Sequence, residues 1–221
     1  MEFNKAKAEL AILNNFIDFI NSQVGVYCDS LSGFSGNRVR VERQIQRGLH
    51  PTNRVIKNGQ PVITWTSIED PTFPDIIHTH VTKADEYIQK NSEADFNEQQ
   101  ICWSIIVFIF ACWDEEIRPQ IANIRGIQTN DLILDEFGDL RILRKHIVHN
   151  SGFLPITQYQ KLKVMKEIVE PDKIITFTHD QMHKLFIFLK RGIGKLLLEY
   201  TGDLPNAPNA DKITNSAIQR N

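Results

Sequence analysis

Arg144 and His149 are the residues of this chain whose types and spacing point most directly to chemistry. They stand in Leu-Arg-Lys-His-Ile-Val-His-Asn-Ser-Gly, residues 143–152, where an arginine interrupts an apolar helical pattern and a histidine precedes a helix-stopping glycine. At about 100° per residue, Phe137, Leu140, Leu143, Ile147 and Val148 fall in one broad arc, and Arg144 falls inside it. A guanidinium is almost never taken out of water without an anion, because desolvating a fixed charge is costly. The expected partners are Asp114, Glu115 or Glu116 at the end of the preceding apolar helix, or a ligand phosphate. Histidine, titrating near neutrality, accepts or donates a proton, and the planar arginine fork suits phosphoryl oxygens.

His149 lies about 140° round the helix from Arg144, so the two side chains do not share a face of a straight helix. The length of arginine, the end of the helix, or a facing pair from a second subunit brings them together. Arg141–His146 and Arg43–His50 satisfy the same loose spacing. Context singles out Arg144: a charge in an apolar arc, the polar Lys145 next to it, and His-Asn-Ser-Gly where the helix terminates.

The elements that position this pair follow from periodicity. Phe3, Ala6, Leu10, Leu13, Ile17, Ile20 and Val24 alternate three- and four-residue spacings and predict a long amphipathic helix. Ser30, Ser32, Gly33, Ser35 and Gly36 predict a break after it. Asn58-Gly59 between β-branched runs predicts a tight hairpin, Pro71 and Pro74 predict irregular chain, and a short helix is expected over residues 83–89. A second helix begins near Ser92, runs through the apolar stretch Ile101–Trp113, and is kinked or ended by Pro119. The third carries the motif and stops at residues 151–155. The fourth starts at Thr178 with a capping box to Gln181, and buries Met182, Leu185, Phe186, Leu189, Ile193, Leu196, Leu197 and Tyr200.

The expected fold is therefore all-α: an antiparallel four-helix bundle with an irregular, β-hairpin-bearing insertion after the first helix. Residues 1–201 form one domain, 29–91 are the insertion, and 202–221 are a flexible tail.

A net charge of −2 excludes a global push toward nucleic acid or anionic membrane, so any basic surface is local. Arg38, Arg40, Arg43 and Arg47 supply one, opposed nearby by Glu42 alone, and are candidates to track an RNA backbone; a solvated charged face is the competing account. The apolar run at 101–113 is shorter than the roughly 20 residues a bilayer requires, and the first residues lack a signal-peptide layout. A cytoplasmic, reducing location fits the three cysteines, an odd number without a Cys-x-x-Cys pair. His78-Thr-His80 lacks further ligands at metal-binding spacing, so neither metal nor cofactor is expected. Gly192-Ile-Gly194-Lys195 lies in the fourth helix and is explained by helix packing rather than phosphate binding.

The motif helix resembles the signature of HEPN-superfamily domains, many of which are ribonucleases: an arginine, usually a polar residue, three variable residues, then histidine, often followed by asparagine. Arg144, Lys145, His149 and Asn150 occupy these positions. Residues 113–118, Trp-Asp-Glu-Glu-Ile-Arg, are similar to an aromatic-acidic-arginine stretch at the end of the second helix of some members. The resemblance implies that Asp114 or Glu115 orients the motif arginine.

It also implies a homodimer in which two Arg–His pairs face across a cleft. RNA would be cut without a metal by attack of the 2′-hydroxyl, leaving a 2′,3′-cyclic phosphate and a 5′-hydroxyl. His149 is the acid/base group and Arg144 the stabiliser of charge on the phosphorane. Asn150 either meets substrate or caps the helix, and His146 is expected at a surface or interface. A toxin or defence effector with an antitoxin partner, or an RNA-processing enzyme, fits this reading. A non-catalytic RNA- or nucleotide-binding HEPN module and a helical protein-interaction domain remain open beside it.

Overall fold

The computed structural model describes residues 2–47, 56–57, 60–70 and 72–199. The expected tail and Tyr200 lie outside the described residues, as do Asn58 and Gly59. The chain is predominantly helical with small antiparallel sheets. It divides into two compact units, Met1–Tyr27 with Ile101–Asn221, and Cys28–Gln100. Among the described residues no helix is long and apolar enough to cross a membrane.

The first helix, α1, spans Glu2–Gln46 and belongs to both units. The break expected at residues 30–36 does not occur, so the segment read as an irregular insertion begins as helix. The reason is tertiary: Tyr27 and Val41 are buried and carry the apolar periodicity through the stretch. Gly33 and Gly36, where a side chain would meet open space, cost only about 1 kcal/mol each relative to alanine.

Helix α3 (Phe96–Cys112), which like α1 has residues in both units, leads in the first unit into a π turn at Trp113–Ile117 and then α4 (Arg118–Arg125). The helix does not end at Pro119: the backbone stays helical through Ile117 and Arg118 into α4, and the proline follows directly on the π turn that interrupts the regular ladder. Gly126 closes α4 at φ 70°. The motif helix α5 covers Asp135–His149, and α7 covers His179–Leu198. Thr178 and Gln181 form the expected reciprocal capping box at the start of α7.

These helices share an aromatic core. Phe16 of α1 lies 5.8 Å, centroid to centroid, from both Trp113 and Phe137, which stack on each other at 4.1 Å. Tyr27 stacks on His179 at 5.7 Å. Helix α4 is tied to α1 by Arg125, whose Nε donates to both carboxylate oxygens of the fully buried Glu9 at 3.0 Å. Helices α5 and α7 approach at Gly192, where a Cβ would fall 3.0 Å from Glu136 Oε2, and Lys195 pairs with that same carboxylate. Close helix packing is thus what the Gly192 position requires. Leu140, Leu143 and Ile147 face the core as expected, whereas Val148 is 47% exposed.

Between α5 and α7 the chain forms β4 (Phe153–Leu154), α6 (Ile156–Tyr159), a 3-10 turn (Met165–Ile168) and β5 (Lys173–Ile174), with β4 and β5 antiparallel. Buried Asp139 anchors this segment: its carboxylate accepts from the backbone N–H groups of Lys163, Val164 and Met165 at 2.7–2.9 Å.

In the second unit, β1 (Ile56–Lys57) pairs antiparallel with β2 (Gln60–Asp70), Lys57 opposite Gln60, which is the register of the expected two-residue hairpin. Strand β2 also pairs with β3 (Phe73–Lys83). The stretch expected to be irregular around Pro74 is therefore an edge strand, where a proline near the strand start removes no ladder bond that the sheet needs. Helix α2 (Ala84–Lys90) follows, close to the short helix expected. Val41, Ile63 and Ala84, with Tyr87 and Ile88, form this unit's small core.

Candidate functional site

Arg144 is half-buried on α5. Its Nε is shielded from solvent and has no hydrogen-bond partner, and its Cζ lies 6.0 Å from the centroid of the Phe110 ring. The guanidinium thus rests against an aromatic face, a weak electrostatic attraction that does not replace an anion. Neither carboxylate expected to orient it does so among the described residues. Asp114 is engaged by Arg118, Nη1 to Oδ1 at 3.1 Å, and Glu115 is exposed. Asp114 meets Arg118 because the two stand i, i+4 on one helical path, here through the π turn Trp113–Ile117. Such turns recur at functional sites.

His149 is the last residue of α5 and is exposed, as is Lys145. Asn150 occupies the C-cap position, and its side-chain amide donates to Phe153 O at 2.9 Å and lies 3.4 Å from His146 Nδ1. It holds the turn that ends the helix. His146, expected at a surface or interface, is instead buried, with its Nε2 unpartnered. It stands seven residues after Asp139 on the flank of α5 that the 150–178 segment covers, which explains the difference. Exposed apolar side chains stand among the exposed Lys145, Asn150 and Ser151 at this end of α5: Val148 is 47% exposed, Phe153 40%, and Ile174, the register partner of Phe153, 55%.

A cavity of about 480 Å3 opens next to Arg144, and Phe110 is their shared wall. Arg118, Asp114, Asn130 and Arg141 supply its polar groups. Arg118 is fixed at both ends, since its Nε also donates to Leu132 O at 3.0 Å. Nearby, burial and the Glu116 carboxylate push the Cys112 thiol up, so that sulfur stays protonated and is a poor nucleophile. Sequence reasoning gave Arg118 and Arg141 no role. The i, i+4 spacing of Asp114 and Arg118 was the available signal for the first, and the i, i+3 spacing of Arg141 and Arg144 for the second.

In the second unit, Arg40, Arg43 and Arg47 share an exposed face of α1 along a groove of about 530 Å3. Arg38 does not join them: it lies on another face, 4.0 Å from Glu42. Among the described residues no three His, Cys, Asp or Glu side chains cluster as metal ligands would.

Comparison with family models, with curated proteins and with solved structures returned no match.

Proposed function

We propose that this chain is a HEPN-type endoribonuclease, a four-helix-bundle protein that cuts RNA without a metal, with Arg144 and His149 as its catalytic residues. The observation that carries the reading is the half-buried Arg144 guanidinium, which no anion among the described residues neutralises. A permanent cation held beside a hydrophobic ring, with no carboxylate answering it among the described residues, is a seat for an anion from outside the chain. A phosphodiester is the anion that the guanidinium fork fits. His149, exposed at the helix end less than two turns on, is free to move a proton at the ribose 2′-hydroxyl or the 5′-oxygen.

The exposed Val148, Phe153 and Ile174 around His149 support a homodimer through this face. A second protomer would supply the second acid/base group and close the angular gap between arginine and histidine. Arg40, Arg43 and Arg47 would hold the RNA backbone. The 140° separation, taken from about 100° per residue, favours phosphate binding without cleavage as the second reading.

Wild type, Arg144→Ala and His149→Ala are incubated with mixed RNA in EDTA, and fragment ends are identified. Wild type is expected to leave cyclic phosphate and 5′-hydroxyl ends, and each variant to lose at least about a hundredfold in rate. RNA bound but uncut by wild type selects the second reading. Cleavage undiminished in His149→Ala removes that residue from the mechanism.

A further inference from the structure

The cleavage chemistry above leaves the cavity beside Arg144 unused. Its volume, about 480 Å3, is within the range of small-ligand clefts. Phe110, Leu134 and Phe137 give it an apolar wall, and polar groups share its lining about equally with apolar ones. Asp114 is the one carboxylate among the described residues that line it, and its side chain is 42% exposed. Arg118 holds one of its oxygens, so the carboxylate is fixed in direction. A carboxylate has acceptor capacity for about four hydrogen bonds, which leaves this one able to take two more.

We infer that this cavity binds the base of the nucleotide beside the scissile phosphate, and that the base is guanine; the inference rests on the ribonuclease reading above. Guanine alone among the RNA bases presents two adjacent N–H donors on its Watson–Crick edge, N1–H and the N2 amine, and one carboxylate accepts both. Adenine and cytosine set a ring-nitrogen acceptor beside their amine, which a carboxylate repels. Uracil offers a single N–H between two carbonyl oxygens, which the carboxylate repels as well. Arg141 stands on the cavity's rim one helical turn before Arg144, a rise of about 4.5 Å along α5. A nucleotide seated in the cavity therefore has its backbone led by Arg141 toward Arg144, where the scissile phosphate sits.

The test is direct binding of the four ribonucleoside 5′-monophosphates to the full chain by calorimetry, with no cleavage required. GMP is expected to bind about tenfold or more tighter than AMP, CMP or UMP. Asp114→Asn, which turns one acceptor into a donor, is expected to bring GMP to the level of the others. Gly138→Leu guards against loss of fold: a Cβ at Gly138 meets nothing within 4 Å, leucine is the better helix former, and its side chain grows over the cavity it lines. That variant is expected to melt no lower than wild type and to bind all four nucleotides at least about tenfold more weakly.

Equal affinity of wild type for the four nucleotides, a guanine preference that survives in Asp114→Asn, or full GMP binding by Gly138→Leu overturns the inference. If wild type leaves RNA intact while the GMP preference follows Asp114, the cavity assignment stands and the cleavage reading falls. If RNA is cut without base bias and the mononucleotides bind alike, the cleavage reading stands and this one falls.

Discussion

Gly152 lies flat against the indole of Trp103: a Cβ built on it would fall 2.5 Å from Trp103 Cζ2 and 2.8 Å from Cη2. The backbone there is left-handed, at φ 80°. The indole is not free to retreat, since its Nε1 donates to Ile175 O at 2.9 Å and Ile175 N donates back to Gly152 O at 2.9 Å. The turn that ends the motif helix is therefore locked to α3 and to the strand at 173–174 by a residue without a side chain.

Gly152→Ala is accordingly expected to cost about 2–4 kcal/mol, from the left-handed backbone and the clash together. Gly126→Ala serves as the control: its φ is also positive, at 70°, but its Cβ meets nothing within 4 Å, so its cost is about 1 kcal/mol. Urea denaturation of the two variants measures both. Equal losses would mean that backbone strain alone matters and that the indole yields.

What could be read from the sequence was what depends on neighbours along the chain. Thr178 and Gln181 announced the start of α7 because a capping box is complete within four residues. Lys57 and Gln60 paired as the intervening Asn-Gly required. The misses have long-range causes. Tyr27 and Val41 carry α1 across glycines that would stop an isolated helix, because distant side chains bury them. The partners of Asp139 stand 24 to 26 residues away, so nothing near it in sequence marked it as an anchor. Asp114 was visible as an acidic residue at a helix end, and its i, i+4 spacing to Arg118 was legible as well, but whether it met Arg118 or Arg144 depended on the packing of α5, which no local signal carries.

Lys190 lies on the buried side of α7, at 5% exposure, and burial pulls its ammonium below the usual lysine range. The unfolded chain then binds that proton more tightly than the folded one, and stability rises with pH between the folded value and the unfolded value of about 10.4. Below that window the whole penalty is present. Lys190→Met, close in volume and uncharged, is expected to be about 1 kcal/mol more stable than wild type at pH 7. The gap should shrink as pH rises through that window and close above about 10.4, where the wild-type amine is deprotonated in both states. Denaturation midpoints at several pH values check the sign, and a gap that widens with pH would contradict the assignment.

Arg40, Arg43 and Arg47 occupy positions i, i+3 and i+7 of α1, one exposed stripe near its C-terminal end. Phosphates neutralised by such a stripe release counterions, and for a single strand the slope of log K against log salt changes by about 0.7 per phosphate contact. Replacing all three by glutamine is expected to flatten that slope by about 2 and to weaken RNA binding most at low salt. Arg38→Gln is the comparison, because Arg38 lies off the stripe beside Glu42 and should leave the slope nearly unchanged. Fluorescence anisotropy with a labelled single-stranded RNA across a salt series gives both slopes. An unaltered slope in the triple variant would assign the stripe to solvent rather than to RNA, and an equal effect of Arg38→Gln would deny that the face matters.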